Sequence, residues 1–392
     1  VTATGPIVPL EPDRVRSLRW AAADVELPQV VDRLRQLQSE LAERDADLGE
    51  HPHPRNSCLN LVVVLGDHHR ALACNRLVAS LGPSHPLRAI LLHLGGGAGP
   101  GMLDAEITSE SHQLLSGFPV QRVQILLYVR GEAAEHVSSL VEPLLAPDLP
   151  TYLWWCGPEP LHGPLLDEVT RFSNVLIVDS TTFEQPAESL LQLASLVGRP
   201  ETGMGVAEFQ WGRLRPWREA IGQFFAPADR RSFLLGLLEV SAESAGAGPA
   251  SRVGAALLAG WAAAALGWRF AGARADGPDA TEATAETPAG RRVTLTLRST
   301  PRAGLAAGEL LAVRISGRSG GRHCSLAIER DVDGGHAVVS IDLDGTDTIH
   351  QRLALPSQGD PDLLVNVLLS GRRDPVFERS LVAATGLLEA LR

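Results

Sequence analysis

TYLWW at Thr151–Trp155, PLLDEVTRF at Pro164–Phe172 and NVLIVD at Asn174–Asp179 read in succession as strand, helix and strand. The two strands are almost continuously apolar, as strands covered on both faces are. Upstream, LNLVVVL (Leu59–Leu65), RAILLHL (Arg88–Leu94) and RVQILLYV (Arg122–Val129) repeat the pattern, and MLDAEIT after Gly101 reads as a further strand. Arg70–Leu81, Ala133–Leu145 and Pro186–Val197 read as the helices between and after these strands. Alternation of this kind predicts an α/β fold, an open sheet with helices on both faces.

The periodicity changes near Glu201–Phe209. Trp217, Ile221, Phe224 and Phe225 then fall on one face of a helix that Pro216 can begin. A strand is expected at Ser232–Val240, followed by a tightly packed Ala/Gly-rich helix at Val253–Leu266. Ala271–Gly290 has little to bury and is expected to be a mobile loop. Arg292–Arg298, Glu309–Ser316, Cys324–Glu329, Ala337–Leu343 and Thr348–Leu353 predict a mostly antiparallel sheet, and helices at Asp360–Leu369 and Pro375–Leu391 close the chain. The expected organisation is an N-terminal arm and amphipathic helix over 1–50, an α/β domain over 51–203, and an α+β domain over 204–392.

The 392 residues carry 35 basic and 46 acidic side chains, a net charge of −11. That balance argues against nucleic acid or an anionic membrane as a partner. Every basic residue is Arg. The absence of Lys excludes Schiff-base catalysis and the lysines of phosphate loops and protein kinases. Cys58, Cys74, Cys156 and Cys324 form no C-x-x-C pair, and the N-terminal stretch lacks a basic head with an apolar core. A cytoplasmic protein is expected.

LGGGAGPG (Leu94–Gly101) precedes a strand and not a helix, so it offers no helix N-terminus to phosphate. His51, His53, His68 and His69 lie at no metal-ligand spacing, and the Asp-Gly pairs at 333–334 and 344–345 suit hairpin turns. No G-x-S-x-G elbow is present. Asp179 and Glu159 are candidate acids or bases, although a carboxylate at a helix entry is more often a cap. No metal and no cofactor follow from these residues.

Two segments stand apart. Trp154 and Trp155 alternate across a strand at its C-terminal end, where they serve either as core or as interface anchors. FQWGRLRPWREAIGQFF (Phe209–Phe225) sets Arg213, Arg215 and Arg218 beside Trp211 and Trp217. Three guanidinium forks there suit an anion or a partner carboxylate, or could pin the two domains together.

Taken together, PLLAPDLPTYLWWCG, NVLIVDS and FQWGRLRPWREAIGQFF resemble the glucose-6-phosphate dehydrogenase assembly protein family, OpcA, of actinobacteria and cyanobacteria. RGEAAEHVSSLVEPLL (Arg130–Leu145) adds to the likeness, and the Arg-only, Ala-rich composition suits an actinobacterial source. The resemblance implies a non-catalytic allosteric activator that binds glucose-6-phosphate dehydrogenase and favours its active oligomer, feeding the pentose phosphate pathway and NADPH supply. The positions matching its motifs are Trp154, Trp155, Gly157, Asp179, Ser180, Trp211, Arg213, Pro216, Trp217 and Arg218. Cyanobacterial relatives are linked to thioredoxin through cysteines. The four cysteines here fall on no redox pair in the sequence, and Cys156 stands where relatives often carry Arg, so thioredoxin is not expected as a partner. The competing expectation is a protein or enzyme that binds a sugar phosphate or nucleotide in the sheet crevice near Trp155 and Asp179.

Overall fold

The computed structural model describes residues 15–46, 57–66, 68–81, 86–95, 99–113, 119–156, 161–197, 203–345, 349–370 and 373–392. The chain divides into two compact units, 1–158 with 164–174, and 159–163 with 175–392.

In chain order the first unit contains β1 (Val15–Ala22), α1 (Leu27–Ala46), β2 (Leu59–Leu65), α2 (His68–Ser80), β3 (Leu87–Leu94) and β4 (Met102–Gln113). It continues through β5 (Pro119–Arg130), α3 (Val137–Val141), β6 (Thr151–Cys156) and α4 (Pro164–Thr170). β6, β2, β3 and β5 pair parallel in that order, and β5, β4 and β1 extend the sheet antiparallel. The parallel strands β2 and β6 are buried along almost their whole length, as their unbroken apolar runs require.

Two expectations for this unit need correction. The residues before α1 are not all an extended arm, because Val15–Ala22 forms the edge strand β1. Pro6, Pro9 and Pro12, which suggested the arm, lie outside the described residues, and the strand begins just beyond them. Its Arg19 pairs with Glu106 of β4, a charged edge of the kind that discourages further pairing. The helix expected over Ala133–Leu145 is shorter. Only Val137–Val141 is α-helical, between 3₁₀ turns at Gly131–Glu135 and Glu142–Leu144. Gly131, at φ +63°, and Pro143 account for the two breaks.

The second unit begins with β7 (Val175–Val178), α5 (Pro186–Val197), β8 (Gly205–Glu208), α6 (Phe209–Arg213), α7 (Arg215–Phe225) and α8 (Ala228–Arg231). Then come β9 (Leu237–Ala245), α9 (Val253–Leu266), β10 (Arg269–Ala275), β11 (Ala280–Glu286), β12 (Arg292–Thr300) and β13 (Leu310–Ser319). β14 (Arg322–Arg330), β15 (His336–Leu343), β16 (Ile349–Ala354), α10 (Asp360–Ser370) and α11 (Pro375–Glu389) complete it. β7 and β8 pair parallel. The large sheet runs β10-β11-β12-β9-β13-β14-β15-β16, antiparallel except between β12 and β9. α9 is buried along most of its length and packs on β9, β12 and α11.

The expected mobile loop at 271–290 is a β-hairpin. β10 and β11 pair from Arg269↔Glu286 to Ala275↔Thr281, with Gly277 at φ +77° in the turn. Thr281, Ala283 and Ala285 alternate inward and are buried, while α11 packs on β10. The alternation is real, but small side chains carry it. The strand expected at Ser232–Val240 likewise begins later, because Ser232–Gly236 is a 3₁₀ turn and β9 starts at Leu237. A Cβ on Gly236 would lie 1.7 Å from the Arg318 carbonyl oxygen, so only glycine allows this approach. Apart from the short piece 159–163, the second compact unit starts at Val175, so β7 and α5, expected in the first domain, are grouped with the residues after 203, and α5 packs on α11.

Candidate functional site

The second unit's polar centre is built where β7 and β8 end. Asp179 follows β7 and caps the 3₁₀ turn Ser180–Thr182, its Oδ1 accepting from Thr181 N at 3.1 Å and Thr181 Oγ1 at 2.7 Å. The expectation of a cap is met. Glu208 ends β8 and caps α6. Its Oε1 accepts from Ser180 N at 2.9 Å and Ser180 Oγ at 2.8 Å, and its Oε2 accepts from Trp211 N at 2.5 Å. Glu208 is buried, and burial pushes its carboxyl above the ordinary value. The neighbouring Asp179 charge adds to that rise, and the hydrogen bonds from Ser180 and Trp211 oppose it.

Arg213 closes α6 and grips Asp179 with a two-pronged fork, Nη1 to Oδ1 and Nη2 to Oδ2, both at 2.9 Å. Nη2 also donates to Asp360 Oδ1 of α10 at 2.8 Å. Burial pulls the guanidinium down, but the hydrogen bonds and charge of Asp179, with Glu208 and Asp360, outweigh it and hold Arg213 above its usual value. Arg213 thus acts as an internal clamp, spent on two carboxylates of its own unit.

Trp211 lies under Arg218, whose guanidinium carbon is 3.4 Å from the indole centroid. Arg218 Nη2 donates to the Trp211 carbonyl at 3.2 Å, and the Trp211 indole Nε1 donates to Asp374 Oδ2 at 2.9 Å. Asp374 in turn caps α11, accepting from Val376 N and Phe377 N at 2.9 Å. Desolvation brings Arg218 down to about 10, with Asp374 and Glu219 opposing and Arg215 reinforcing the shift. Beside this stack opens a cavity of about 270 Å³. Trp211, Arg215, Arg218, Arg373 and Asp374 line it, with Leu363, Val367 and Phe377 among its apolar walls.

Asp179, Ser180, Trp211, Arg213 and Arg218 therefore meet in one network of the second unit. Pro216 is the second residue of α7, and Trp217 is 1% exposed in the core. Trp154 and Trp155, on β6 of the first unit, are 4% and 3% exposed, so they are core side chains and not projecting anchors. In the second unit the Asp179 carboxylate is engaged by Arg213 and Thr181. Gly157 and Glu159 lie outside the described residues, as do His51 and His53.

Sequence reading missed Glu208, Asp360, Arg373 and Asp374. Asp360-Pro361 and Asp374-Pro375 each open a helix, and Asp before Pro at a helix start was the available signal for both. It also missed a cysteine pair. Cys74 Sγ and Cys156 Sγ, 82 residues apart in the chain, are buried 3.3 Å from each other as thiols in the first unit. Among the described residues, no helix is long and apolar enough to cross a membrane.

The architecture and this clamp define a two-unit protein, mixed α/β followed by an α+β sheet unit, with its motif arginines turned inward. Two family descriptions match the sequence, both of a glucose-6-phosphate dehydrogenase subunit: its N-terminal domain over residues 78–195, and its C-terminal domain over 204–381. The chain belongs to the OpcA family. It is 34% identical over 145 residues to an OxPP cycle protein OpcA of Synechocystis, covering 37% of this chain and 29% of that protein. It is 30% identical over 202 residues to the OpcA of Synechococcus elongatus, covering 50% of this chain and 44% of the relative. The matches thus span less than half the length of these curated relatives. Among solved structures, an oxidoreductase from Sinorhizobium meliloti aligns over 85% of this chain and 95% of its own, at 13% identity and TM-score 0.46. KijD10, a 3-ketoreductase from Actinomadura kijaniata, aligns over 85% and 96% at 13% identity and TM-score 0.45. Likeness at that level carries no argument about cofactor or substrate.

Proposed function

We propose that this chain is a non-catalytic assembly factor that binds glucose-6-phosphate dehydrogenase and allosterically favours its active oligomer, so supporting the oxidative pentose phosphate pathway and NADPH supply. The observation that carries the reading is the match of both family domains, whose descriptions name a subunit of that enzyme. The geometry is compatible with a scaffold. Arg213 and Asp179 are spent on each other, and Glu208 on Ser180 and the cap of α6.

Activation by a binding partner requires tighter binding to the active state than to the inactive one. A tenfold shift in that equilibrium needs about 1.4 kcal/mol of differential binding, within reach of a few interface contacts. The test is light scattering on a size-exclusion column, with this protein and glucose-6-phosphate dehydrogenase from the same organism run separately and mixed. A co-eluting complex in which the enzyme's oligomer is larger or more fully populated supports the reading. Unchanged elution of both proteins across concentrations up to about 100 times a micromolar dissociation constant removes it.

A further inference from the structure

We propose that the cavity between α6, α7, α10 and α11 is a binding site for a small phosphate ester. The arginines that line it are short of acceptors in a consistent way. The Arg218 guanidinium carbon sits 3.4 Å from the Trp211 ring centroid, and its Nη2 donates to a backbone carbonyl and not to a carboxylate. Its Nε is buried with no hydrogen-bond partner among the described residues. A guanidinium held in that setting is a cation that an incoming anion would complete.

Arg215 and Arg373 stand on the same cavity, each engaging a carboxylate through Nε, Glu219 at 2.8 Å and Glu378 at 2.6 Å. Such monodentate pairs leave the Nη groups of both arginines for a second acceptor. The two carboxylates in the lining are already committed. Asp374 accepts from Trp211 Nε1, Val376 N and Phe377 N, and Glu208 from Ser180 and Trp211. They face the cavity as satisfied acceptors.

Three guanidinium groups on one small space match the several oxygens and double charge of a phosphate better than a single carboxylate. About 270 Å³ admits a phosphate with a compact body of a few carbons, and Leu363 and Phe377 give that body an apolar wall while Asn366 and Gln358 offer amides to hydroxyl groups. This site stands independently of the proposed partner. A chain that assembles the dehydrogenase without binding the ester would sink this inference alone.

The experiment is a calorimetric titration of the full chain with inorganic phosphate and with glucose 6-phosphate, and with glucose as the uncharged control. Saturable binding of glucose 6-phosphate, weaker binding of inorganic phosphate and none of glucose is the expected result. Arg218→Gln is expected to weaken the ester at least tenfold. Because Arg218 packs on Trp211, Arg373→Gln, whose side chain is 53% exposed, is the second variant and is expected to weaken it several-fold with an unchanged circular dichroism spectrum. Absence of saturable binding at about 10 mM ester in low salt overturns the proposal. So does an equal affinity for glucose, or an affinity unaltered in both folded variants.

Discussion

Arg213 donates from Nη1 and Nη2 to the two carboxylate oxygens of Asp179 at 2.9 Å each, joining the end of β7 to the end of α6. The Arg213 side chain is 17% exposed and that of Asp179 8%, so solvent screens the pair poorly. Removing one partner strands the other. Asp179→Ala is expected to lower unfolding free energy by about 3 kcal/mol, measured by urea denaturation. Asp360, whose side chain is 51% exposed, binds the same guanidinium, and Asp360→Ala is expected to cost only about 0.5 kcal/mol. Equal costs for the two variants would show that the clamp is not centred on Asp179.

Glu208 sets a pH dependence. Burial, with Asp179 nearby, raises its carboxyl in the folded state above the value in the unfolded chain. The native state then holds a proton that the unfolded chain releases at lower pH. The resulting stability is fully present below the unfolded value and is lost as pH rises through the raised folded value. Glu208→Gln removes that titration but also loses acceptor capacity toward Ser180 and Trp211. Its deficit relative to the parent is therefore expected to be larger near about pH 4 to 5 than near about pH 8. A deficit that grows with pH would contradict the raised carboxyl.

Two glycines of the second unit separate packing from propensity. A Cβ on Gly260 of α9 would lie 2.4 Å from the Ser380 carbonyl oxygen and 2.7 Å from Ala384 Cβ on α11. Gly260→Ala is expected to destabilise by about 1–3 kcal/mol, despite alanine's better helix propensity. Gly222 of α7 is exposed with open space at its Cβ, and Gly222→Ala is expected to stabilise by about 0.5–1 kcal/mol. Thermal melts of the two variants moving in the same direction would contradict the close approach of α9 and α11.

The cysteines differ in reach. Cys58 is exposed just ahead of β2, while Cys74, Cys156 and Cys324 are buried. Burial also pushes the Cys324 thiol above its ordinary value, which lowers its thiolate fraction at neutral pH. Native protein treated with a thiol-reactive disulfide reagent is expected to label Cys58 fast and the other three slowly, with all four labelled once the chain is unfolded. Fast labelling of Cys324 in the native protein would contradict its placement.

What the sequence reveals depends on how far each signal reaches along the chain. Pro186–Val197 is read to the residue, because proline marks its start and a strong apolar stripe its length. LNLVVVL is equally plain, since a strand covered on both faces needs an unbroken apolar run. The β10–β11 hairpin is hidden because Ala and Thr carry its alternation, and hydropathy gives them little weight beside Val or Ile. Trp154 and Trp155 look like anchors by residue type, but only the packing around β6 decides that both are buried. Arg213 and Asp179 stand 34 residues apart, and Cys74 and Cys156 stand 82 apart. No local pattern announces such partners, and tertiary packing alone selects them.

Activation of glucose-6-phosphate dehydrogenase would show first in the enzyme's own rate. Initial NADPH formation by the dehydrogenase of the same organism would be followed at fixed substrate while this protein is titrated in. A saturable rise of several-fold is predicted, with the midpoint tracking the concentration of complex seen by light scattering. A rate unchanged at saturating protein, with the enzyme still responsive to its substrates, would show that this chain does not activate it.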